Sequence, residues 1–356
     1  MAADLPKTMQ AWKFTSVSPT LEENLSLDHI SPLPDNSASL RADQVLVNVL
    51  AASLNPIDYK SPEIPFVGRL VSGSPSIPGI DFAGRVAATG PNRKNVASED
   101  LKVGQLVYGR LKGPTKFGTL AEYTIAPRAA CVPIPPGVSV IDAASAATAG
   151  LTAYQSIMPK IKGGTGERVF INGGSGGCGT FGIQIAKVAG CHVTTSCSTA
   201  NVELCKSLGA DIVIDYSRKD VVAELKKMQP FDLVVDNVGA SGDLYFSASS
   251  FTKPSALYMQ IGSPAITPGF ILRNLYKKYW PSRLGGGKRR WEFMHLENKP
   301  EDFSQIARWM QEKKVRAVVA DVYGMEDKGP VEAFTKLRIG RTRGKIVVKI
   351  VDSCEE

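Results

Sequence analysis

Residues 168–198, RVFINGGSGGCGTFGIQIAKVAGCHVTTSCS, hold a short apolar run, a glycine-rich turn, a helical pattern and a second β-branched run. This order is typical of a β-α-β unit. Gly174, Gly176 and Gly179 have the spacing G-x-G-x-x-G. The first glycine allows a tight turn, the second lets a pyrophosphate approach the backbone, and the third lets the helix pack on the strand. The helix that follows directs its unpaired N–H groups at the phosphates. The stretch therefore predicts a dinucleotide-binding site.

The residues around these glycines strengthen the prediction. A bare G-x-G-x-x-G pattern also occurs in structural hairpins. Here residues 169–171 supply an apolar strand before the turn, and Phe181, Ile185 and Val188 lie three and four apart on one helical face after it. Strand, turn and helix in this order favour the dinucleotide interpretation.

Length and composition restrict the classes of protein to which the chain can belong. The chain has 356 residues, of which 43% are hydrophobic and 21% charged, which predicts a globular protein of two domains. No apolar stretch approaches the ~20 residues that span a bilayer. The start MAADLPKTMQAWKF has no apolar signal region, so we expect a cytoplasmic protein. Six cysteines without a C-x-x-C pair or a Cys/His cluster indicate free thiols.

The net charge of +8 favours anionic partners. The lysines and arginines are scattered along the chain, which argues against a stable nucleic-acid partner. A phosphate-rich cofactor accounts for the basic balance equally well. Residues 288–291, Lys-Arg-Arg-Trp, leave stacking on RNA bases open, although a solvated loop or a contact to a phosphate is the preferred interpretation.

Two different patterns divide the chain. Before a proline-rich break at residues 133–137, short runs separated by turn signals predict a β-rich, barrel-like domain. After residue 168, strands and helices alternate, which predicts an α/β fold with a doubly wound parallel sheet. The expected β-rich catalytic domain is 1–136, completed by 305–356, and the expected dinucleotide-binding domain is 137–304.

The individual elements follow from the same periodicities. In the β-rich part, strands are expected at 44–50, 84–88, 105–108 and 120–125. In the alternating part, strands are expected at 168–171, 192–196, 211–215, 231–236 and 256–261, with helices at 178–189, 200–208, 219–228 and 242–250. A helix at 301–313 and two closing strands predict that the C-terminus returns to pair with the first domain.

Residues 263–291 have the sequence pattern that predicts structure least clearly. Leu272, Leu275, Tyr276 and Tyr279 stand at helical spacing between basic residues. A membrane-surface helix, a lid over the active site and a dimer-interface element all fit this pattern. A partly exposed helix with snorkelling lysines is the preferred interpretation. A homodimer is left open.

A series of motifs runs in order along nearly the whole chain: NPIDYK, PGIDFAG, KVGQLVYG, GTLAEY, IPPGVSVIDAASAATAGLTAY, INGGSGGCG, SLGADIVIDY, VVDNVG and RGKIVVKI. Together they resemble the medium-chain dehydrogenase/reductase superfamily, in its zinc-independent branch of zeta-crystallin-like quinone oxidoreductases and enoyl reductases. The resemblance implies a GroES-like catalytic domain made of both chain ends, a Rossmann domain between them, and an active site in the cleft.

The same resemblance implies no metal site. Zinc-dependent members place a cysteine where this chain has Ser-Leu-Asn at 53–55, and Gly-His-Glu where it has Gly79, Ile80 and Asp81. Neither ligand is present, and the four-cysteine structural lobe of those members is missing too. Without a Lewis acid to polarise an alcohol, reduction of an activated C=C bond or a quinone is expected over alcohol oxidation.

The end of the second alternating strand bears on the type of cofactor. An NAD-specific site ends this strand with Asp or Glu on the ribose 2′-hydroxyl, whereas this chain reads TTSCST and has no acid there. We therefore expect NADPH over NADH. Ser196, Ser198 and Asn201 can donate hydrogen bonds to the 2′-phosphate. Family members that bind NADPH often carry a lysine where this chain has Asn201.

Further cofactor-binding positions are implied by the resemblance. Tyr216 matches a tyrosine that flanks the adenosine phosphate in relatives, and Arg218 or Lys219 is a candidate for the missing positive charge. The two threonines of the ATAGLTAY segment can instead bond their own helix backbone. The other implied positions are Thr148, Thr152, Gly174, Ser175, Gly176, Gly177, Cys178, Gly179, Asn237, Gly239, Ile261, Gly262 and Lys345.

The NPIDYK segment is the expected catalytic loop. Hydride transfer to an enone is carried by the cofactor, so the protein orients the substrate and stabilises the developing enolate. The resemblance places Asn55, Tyr59 and Lys60 beside the nicotinamide, and some enoyl reductases of fungal polyketide pathways use a lysine at the Lys60 position. Asp58 is interpreted as a turn or ion-pair residue. For Tyr59, a role as a half-buried packing side chain is as good an interpretation as a catalytic role.

The expected function is NADPH-dependent reduction of the C=C bond of an α,β-unsaturated carbonyl, free or carrier-bound. Quinone reduction at the same cleft is one alternative. A second is a non-reducing enzyme of secondary metabolism, and a third is a nucleic-acid-binding role on the same scaffold. Substrate choice is assigned to an apolar pocket formed by Phe66, Leu70, Trp280 and Phe293.

Overall fold

The computed structural model of the protein describes residues 5–65, 67–91, 101–239, 243–264 and 267–351. It forms two compact units, one of Met1–Thr148 with Glu297–Glu356 and the other of Ala149–Leu296. The strands are β1 (Thr8–Lys13), β2 (Ser26–Pro32), β3 (Gln44–Leu54), β4 (Asp81–Thr89), β5 (Leu106–Arg110), β6 (Tyr123–Pro127), β7 (Cys131–Pro133), β8 (Arg168–Asn172), β9 (His192–Cys197), β10 (Ile212–Asp215), β11 (Phe231–Asp236), β12 (Thr252–Gln260), β13 (Arg290–Phe293), β14 (Val319–Gly324) and β15 (Lys345–Lys349). The helices are α1 (Pro56–Lys60), α2 (Val67–Ser72), α3 (Val140–Ile157), α4 (Gly177–Val188), α5 (Val202–Ser207), α6 (Val221–Lys226), α7 (Asp243–Ser247), α8 (Pro268–Tyr279), α9 (Pro300–Gln311) and α10 (Gly329–Ile339). Within the described ranges, no helix combines the length and the apolar character that crossing a membrane requires.

The first unit is built on a largely antiparallel sheet. Over its described residues seven strands pair, six of them in the order β14-β15-β3-β4-β5-β7, with β6 against β3. β3 is the longest of these strands and is buried along most of its length. A strand covered on both faces favours a nearly continuous apolar run, and VLVNVLAASL is interrupted only by Asn48 and Ser53.

The C-terminal strands complete this first unit. β15 pairs antiparallel with β3, with Ile346 opposite Leu54 and Val348 opposite Ala52. β14 in turn pairs parallel with β15. The prediction that the C-terminus returns to pair with the N-terminal part is confirmed.

The second unit is a Rossmann fold. In its described part six strands pair, all parallel, in the order β10-β9-β8-β11-β12-β13. Numbered from β8, this is the order 3-2-1-4-5-6 of dinucleotide-binding folds. Val169, Phe170 and Ile171 of β8 are fully buried. The predicted α/β class, a β-rich part plus a doubly wound parallel sheet, is confirmed.

The sixth strand, β13, was not among the expected strands. Its sequence Arg-Trp-Glu-Phe follows two further basic residues and shows no apolar run. It forms because Leu257–Gln260 of β12 offer an open edge, against which residues 290–293 pair in parallel. Trp291 alone of the four is buried, so tertiary pairing decides this strand and local pattern does not.

The basic run at 288–291 also differs from its preferred interpretation. The Arg289 guanidinium donates to Thr252 through Nε to Oγ1 at 2.9 Å and through Nη2 to the carbonyl oxygen at 3.0 Å. Trp291 is buried, and its Nε1 donates to Gln260 Oε1 at 3.2 Å. A solvated loop is therefore wrong for Arg289 and Trp291, which anchor the edge of the sheet.

Helix α8 docks on this edge through a lysine. Lys277 is buried, and its Nζ donates to Gln260 Oε1 at 2.7 Å. The ammonium lies 5.8 Å from the ring centroids of both Tyr245 and Trp291, within cation–π range. The prediction of snorkelling lysines is wrong for Lys277. Burial, followed by the nearby Arg273 guanidinium, lowers the pKa of Lys277 to about 8.

The buried Lys277 predicts an unusual pH dependence of stability. Below about pH 8 the lysine is protonated in both states, so the cost of burying its charge is constant. Between about pH 8 and the ordinary lysine pKa of 10.5, the unfolded state binds more protons, and stability rises with pH. Relative to Lys277→Met, the wild type should gain up to about 3 kcal/mol over this window.

Chemical denaturation of the two proteins at several pH values measures this gain. Lys278→Met, at the next and exposed position, is the control and should show no such trend. A constant difference between wild type and Lys277→Met from pH 7 to 10.5 would contradict the prediction.

Candidate functional site

The glycine turn of the second unit lies between β8 and α4. Gly173 and Gly174 donate their N–H groups to Oγ and to the carbonyl oxygen of Ser196, at 3.1 and 2.9 Å. A Cβ on Gly174 would lie 2.0 Å from Thr195 Oγ1, and one on Gly179 would lie 2.2 Å from the Gly173 oxygen. The fold itself therefore requires these two glycines.

Gly176 is different from its neighbours in the turn. A Cβ at this position would meet only the Gly173 oxygen, at the ordinary contact distance of 3.7 Å. Its φ of −80° is open to any residue, and it caps the N-terminus of α4. Nothing within the protein demands a glycine here, so the space above Gly176 is available to a ligand. Gly177 and Cys178 follow as the first residues of α4.

The end of β9 is tied to this turn by Asn201. Its Nδ2 donates to Ser175 Oγ at 3.0 Å and to Ser198 Oγ at 3.2 Å. Asn201 Oδ1 is buried and has no hydrogen-bond partner among the described residues. Ser196 is fully buried and donates to Asn172 Oδ1 at 2.6 Å. Of the predicted phosphate donors, Asn201 and Ser198 thus lie beside the turn, and Ser196 supports it from below.

A cavity of about 350 Å³ opens in the same unit. Tyr216, which is largely exposed, and Lys219 both line it. Lys219 Nζ lies 3.5 Å from Glu224 Oε2 at the surface, and Arg218 lies outside this lining. The cavity is lined by Asn172, Tyr216, Lys219, Asp220, Val221, Val222 and Leu244.

The carboxyl ends of β11 and β12 form a second edge of the site. Asp236 Oδ1 accepts from Gly239 N at 3.0 Å and from Asn172 Nδ2 at 2.8 Å. A Cβ on Gly239 would lie 2.0 Å from the Gly262 oxygen. The backbones after β11 and β12 therefore pack closely, which places Ile261 and Gly262 against the loop of residues 237–239.

Asn237 in this loop carries an unsatisfied group. Its Nδ2 donates to the Asn172 carbonyl oxygen at 3.1 Å. Its Oδ1 is buried without a hydrogen-bond partner in the described part of the chain. Buried polar atoms are normally paired in native structures, so Asn237 Oδ1 and Asn201 Oδ1 are available to a polar ligand at the two edges of the site.

The sequence reasoning missed Asn172 and Asp236. Both stand at the last position of a parallel strand, β8 and β11, and they bond to each other. Tyr258 Oη also donates to Asp236 Oδ2 at 2.7 Å, and burial together with this carboxylate raises the pKa of Tyr258 well above its ordinary value. Polar residues that end neighbouring parallel strands were the signal that could have found them.

The first unit contains a buried polar network centred on Asp81. Asn55 Nδ2 donates to Asp81 Oδ2 at 2.8 Å, and Asn55 Oδ1 accepts from Lys345 Nζ at 2.6 Å. Lys345 also donates to the Leu54 carbonyl oxygen at 2.8 Å and lies 3.7 Å from Asp81 Oδ2. Lys345, expected as a cofactor ligand, therefore holds Asn55 in place in this structure.

The network continues through Thr148 and Arg110. Thr148 Oγ1 donates to Asp81 Oδ1, so its hydroxyl does not serve its own helix backbone. Arg110 Nε donates to Thr148 Oγ1 at 3.0 Å, and Arg110 Nη1 donates to Asn298 Oδ1 at 2.8 Å. Thr152, one turn further along α3, is buried in the second unit. The predicted cofactor-lining threonine Thr148 is thus oriented by a carboxylate and a guanidinium.

Asp58 lies in the first turn of α1, within the NPIDYK segment. Its Oδ2 accepts from the Asn55 backbone N–H at 2.7 Å, which satisfies a donor at the start of α1. Burial, followed by the nearby Asp81 carboxylate, raises the pKa of Asp58 to about 8. Its interpretation as a turn residue agrees with this contact.

Tyr59 and Lys60 end the same helix. The Arg338 guanidinium lies 4.3 Å from the centroid of the Tyr59 ring and is itself bonded to Glu22 and to Glu63. The buried ring therefore packs in an ion-pair cluster, and a role for its hydroxyl stays a prediction. Lys60 is half-buried, and burial followed by Arg338 lowers its pKa.

Three of the four predicted substrate-pocket residues lie in the described part of the chain. Leu70, Trp280 and Phe293 are all exposed large side chains. Phe66 lies outside the described residues. At the positions of the zinc ligands of related enzymes, Ser53 Oγ contacts Asp81 Oδ2 at 3.5 Å and Ile80 is buried. No group of three His, Cys, Asp or Glu side chains in the described ranges is arranged to hold a metal ion.

Family comparisons agree with this architecture. Residues 41–136 match the alcohol dehydrogenase GroES-like domain, and residues 208–348 match the zinc-binding dehydrogenase family. A trans-enoyl reductase from Aspergillus terreus is 65% identical over 100% of both chains. A zinc-type alcohol dehydrogenase-like protein from Schizosaccharomyces pombe is 34% identical over 88% of this chain and 89% of its own.

Solved structures show the same relationship. The quinone oxidoreductase from Coxiella burnetii superposes with a TM-score of 0.80 at 30% identity, over 97% of this chain and 100% of that chain. The motifs along the chain agree with the fold of this quinone oxidoreductase, with the two family matches and with the identity to the Aspergillus protein. The protein therefore belongs to the medium-chain dehydrogenase/reductase superfamily, in its enoyl reductase and quinone oxidoreductase branch, with a GroES-like part and a Rossmann part.

Proposed function

We propose that the protein is an NADPH-dependent reductase that transfers a hydride to the activated C=C bond of an α,β-unsaturated carbonyl substrate, free or carrier-bound. The second unit holds the cofactor in this proposal, and the GroES-like unit holds the substrate. The observation that carries the cofactor assignment is Gly176, which the fold leaves open above the N-terminus of a helix. The reaction class is supported by the 65% identity to a trans-enoyl reductase.

The preference for NADPH follows from the end of β9. The segment TTSCST that ends β9 contains no Asp or Glu to accept a hydrogen bond from the 2′-hydroxyl of NADH. The Ser198 hydroxyl, which accepts from Asn201 Nδ2, is the proposed donor beside the turn, and Tyr216 and Lys219 line one cavity of the same unit. Lys219 is our candidate for the cation that pairs with the 2′-phosphate, in place of a lysine at position 201.

Groups of the second unit are also available for the pyrophosphate and nicotinamide parts of the dinucleotide. Backbone N–H groups of the first turn of α4 bind the pyrophosphate, because a helix N-terminus attracts anions. The orphan Asn237 Oδ1, with Gly239, Ile261 and Gly262, lies at the edge proposed for the nicotinamide. When bound, NADPH supplies the hydride, and the protein supplies position and electrostatics.

The proposed catalytic work of the GroES-like unit is stabilisation of the enolate oxygen. Lys60, whose pKa is lowered by burial, donates a hydrogen bond to the substrate oxygen and a proton to the product. Asn55 is held by Asp81 and Lys345 and orients the start of α1. Arg338 fixes the Tyr59 ring, so the loop presents Lys60 from a braced helix.

Replacing Lys60 with methionine is expected to lower kcat about tenfold, less than the ~100- to 1,000-fold typical for loss of one oxyanion donor, because water can partly replace a half-buried ammonium. The KM for NADPH should change less than about twofold, since it reports binding in the second unit. Steady-state kinetics with an enone measures both. Lys206→Met, at an exposed surface pair, is the control; equal kcat in wild type and Lys60→Met would contradict the catalytic role.

A panel of enones, acyl thioesters and quinones, followed at the nicotinamide absorbance, tests the function itself. We expect turnover of an enone or enoyl thioester with a higher kcat/KM for NADPH than for NADH. The likeness to a quinone oxidoreductase structure makes quinone reduction the second candidate. If the enzyme oxidises NADPH with quinones but with neither enones nor enoyl thioesters, quinone reduction is favoured. A preference for NADH would overturn the cofactor assignment.

A further inference from the structure

Helix α8 presents its apolar residues to solvent. Ile271, Leu272, Leu275 and Tyr279 are 52%, 67%, 48% and 67% exposed. At about 100° per residue these four lie within one arc of about 100°. The side opposite this arc carries Lys277, which is buried against the sheet. The same side carries Phe270, which is half-buried and packs on Phe293 at a centroid distance of 5.9 Å. The helix thus contacts its unit through Phe270 and Lys277 and leaves its other apolar residues to solvent, unlike a helix that covers a core with its apolar face.

The exposed apolar surface extends beyond the helix. Trp280 is 49% exposed and Leu284 is 66% exposed in the turn that follows. Trp280 stacks on Tyr276 at a centroid distance of 5.5 Å and donates its Nε1 to the Leu284 carbonyl oxygen at 2.8 Å. A contiguous exposed apolar patch of this kind marks an interaction surface.

The charged side chains along α8 and the segment that follows it, up to residue 290, all have one sign. Residues 267–290 contain seven Lys or Arg residues and no Asp or Glu. Arg273, Lys278, Arg283 and Lys288 among them are exposed, whereas Arg290 pairs with Glu292. A second copy of the chain would bring two such clusters together, and like charges across an interface are unfavourable. Charge complementarity therefore calls for an anionic partner.

The shape of the patch favours a lipid surface over an acidic protein. The helix is convex, and a bilayer accepts a convex amphipathic helix without a matching groove. Tyr279 and Trp280 stand beside Lys278 at the border of the arc, and aromatic and basic side chains together are typical of the headgroup level. Helix α8 and the turn to Leu284 together are the α8 patch. We propose that the α8 patch binds the surface of an anionic membrane, with its apolar arc inserted between the lipid headgroups.

The helix is already formed for this contact. Thr267 Oγ1 accepts from Phe270 N at 3.1 Å at its start, and Lys277 anchors its last turn to Gln260. Binding therefore does not carry the entropy cost of folding a helix at the membrane. The basic side chains flanking the arc reach the anionic headgroups while their stems lie on the apolar surface.

Trp280 provides a direct readout for the full chain. The other three tryptophans, Trp12, Trp291 and Trp309, are at most 9% exposed. We expect a blue shift of Trp280 emission, and co-sedimentation, with vesicles of phosphatidylcholine and phosphatidylserine, both weakening as salt is raised. Vesicles of phosphatidylcholine alone should bind at least tenfold more weakly. Trp280→Phe should remove the spectral shift.

Two glutamine substitutions separate insertion from simple charge attraction. Leu272→Gln with Leu275→Gln changes two exposed residues, so folding is preserved, and affinity for the anionic vesicles should fall at least tenfold. Ile30→Gln, at a residue 76% exposed in the other unit, is the matched control and should bind like wild type.

Three outcomes would overturn the proposal. Absence of binding to the anionic vesicles would do so, and would leave a soluble acidic protein as the partner of the patch. Unchanged affinity of the double variant would indicate charge attraction without insertion. A dimer that the double variant dissociates, with no vesicle binding, would show that a second copy covers the helix.

Discussion

Replacing Gly176 with valine is expected to weaken NADPH binding about 100-fold, equivalent to about 2.7 kcal/mol. The side chain would fill the space that the fold leaves open above the N-terminus of α4, where the pyrophosphate has to approach the backbone. The free energy of unfolding should change by only about 1 kcal/mol, the cost of losing a glycine N-cap. Calorimetric titration with NADPH and chemical denaturation measure the two quantities.

Two other glycines provide the controls for this prediction. A Cβ on Gly113 would have nothing within 4 Å, so Gly113→Val should leave NADPH affinity unchanged. A Cβ on Gly179 would lie 2.2 Å from the Gly173 oxygen, so Gly179→Ala should lower stability and affinity together. Wild-type affinity in a folded Gly176→Val protein would remove the glycine turn from the cofactor site.

Replacing Asp81 with alanine is expected to lower the free energy of unfolding by about 3–5 kcal/mol, the range for breaking a buried ion pair by removing one partner. Asp81 and Lys345 are both buried, and their charged atoms lie 3.7 Å apart. The substitution leaves the Lys345 ammonium without a countercharge and the Asn55 and Thr148 donors without their acceptor. Urea denaturation measures the loss.

A surface ion pair and a double variant test the origin of that loss. Asp28 pairs with Lys13 at 2.7 Å but is about one-third exposed, so Asp28→Ala should cost less than about 1 kcal/mol. Adding Lys345→Met to Asp81→Ala should recover part of the stability, because it removes the stranded charge. If Asp81→Ala costs no more than Asp28→Ala, the network does not stabilise the unit as inferred.

The Rossmann elements could be predicted because their signals are local. A buried parallel strand reads as an uninterrupted apolar run, as in residues 169–171, and the glycines of a phosphate turn stand at fixed spacing. β13 could not be predicted, since its strand geometry comes from pairing with β12. The glycine turn was correctly placed between a strand and a helix, and its role in cofactor binding stays a prediction. Asn172 and Asp236 were missed, because each is only one polar residue after an apolar strand.

The sequence by itself determined the glycine turn at residues 174–179, the alternating strands and helices around it, and the absence of an acid at the end of β9. These depend on residue types and short spacings, which local backbone sterics and periodicity translate directly into structure. The tertiary structure decided which polar groups meet. Lys345 reaches Asn55 across 290 positions of sequence, and Lys277 turns inward so that the leucines of α8 face outward. The physical reason is that buried charges must find partners in three dimensions, and those partners leave no periodic trace along the chain.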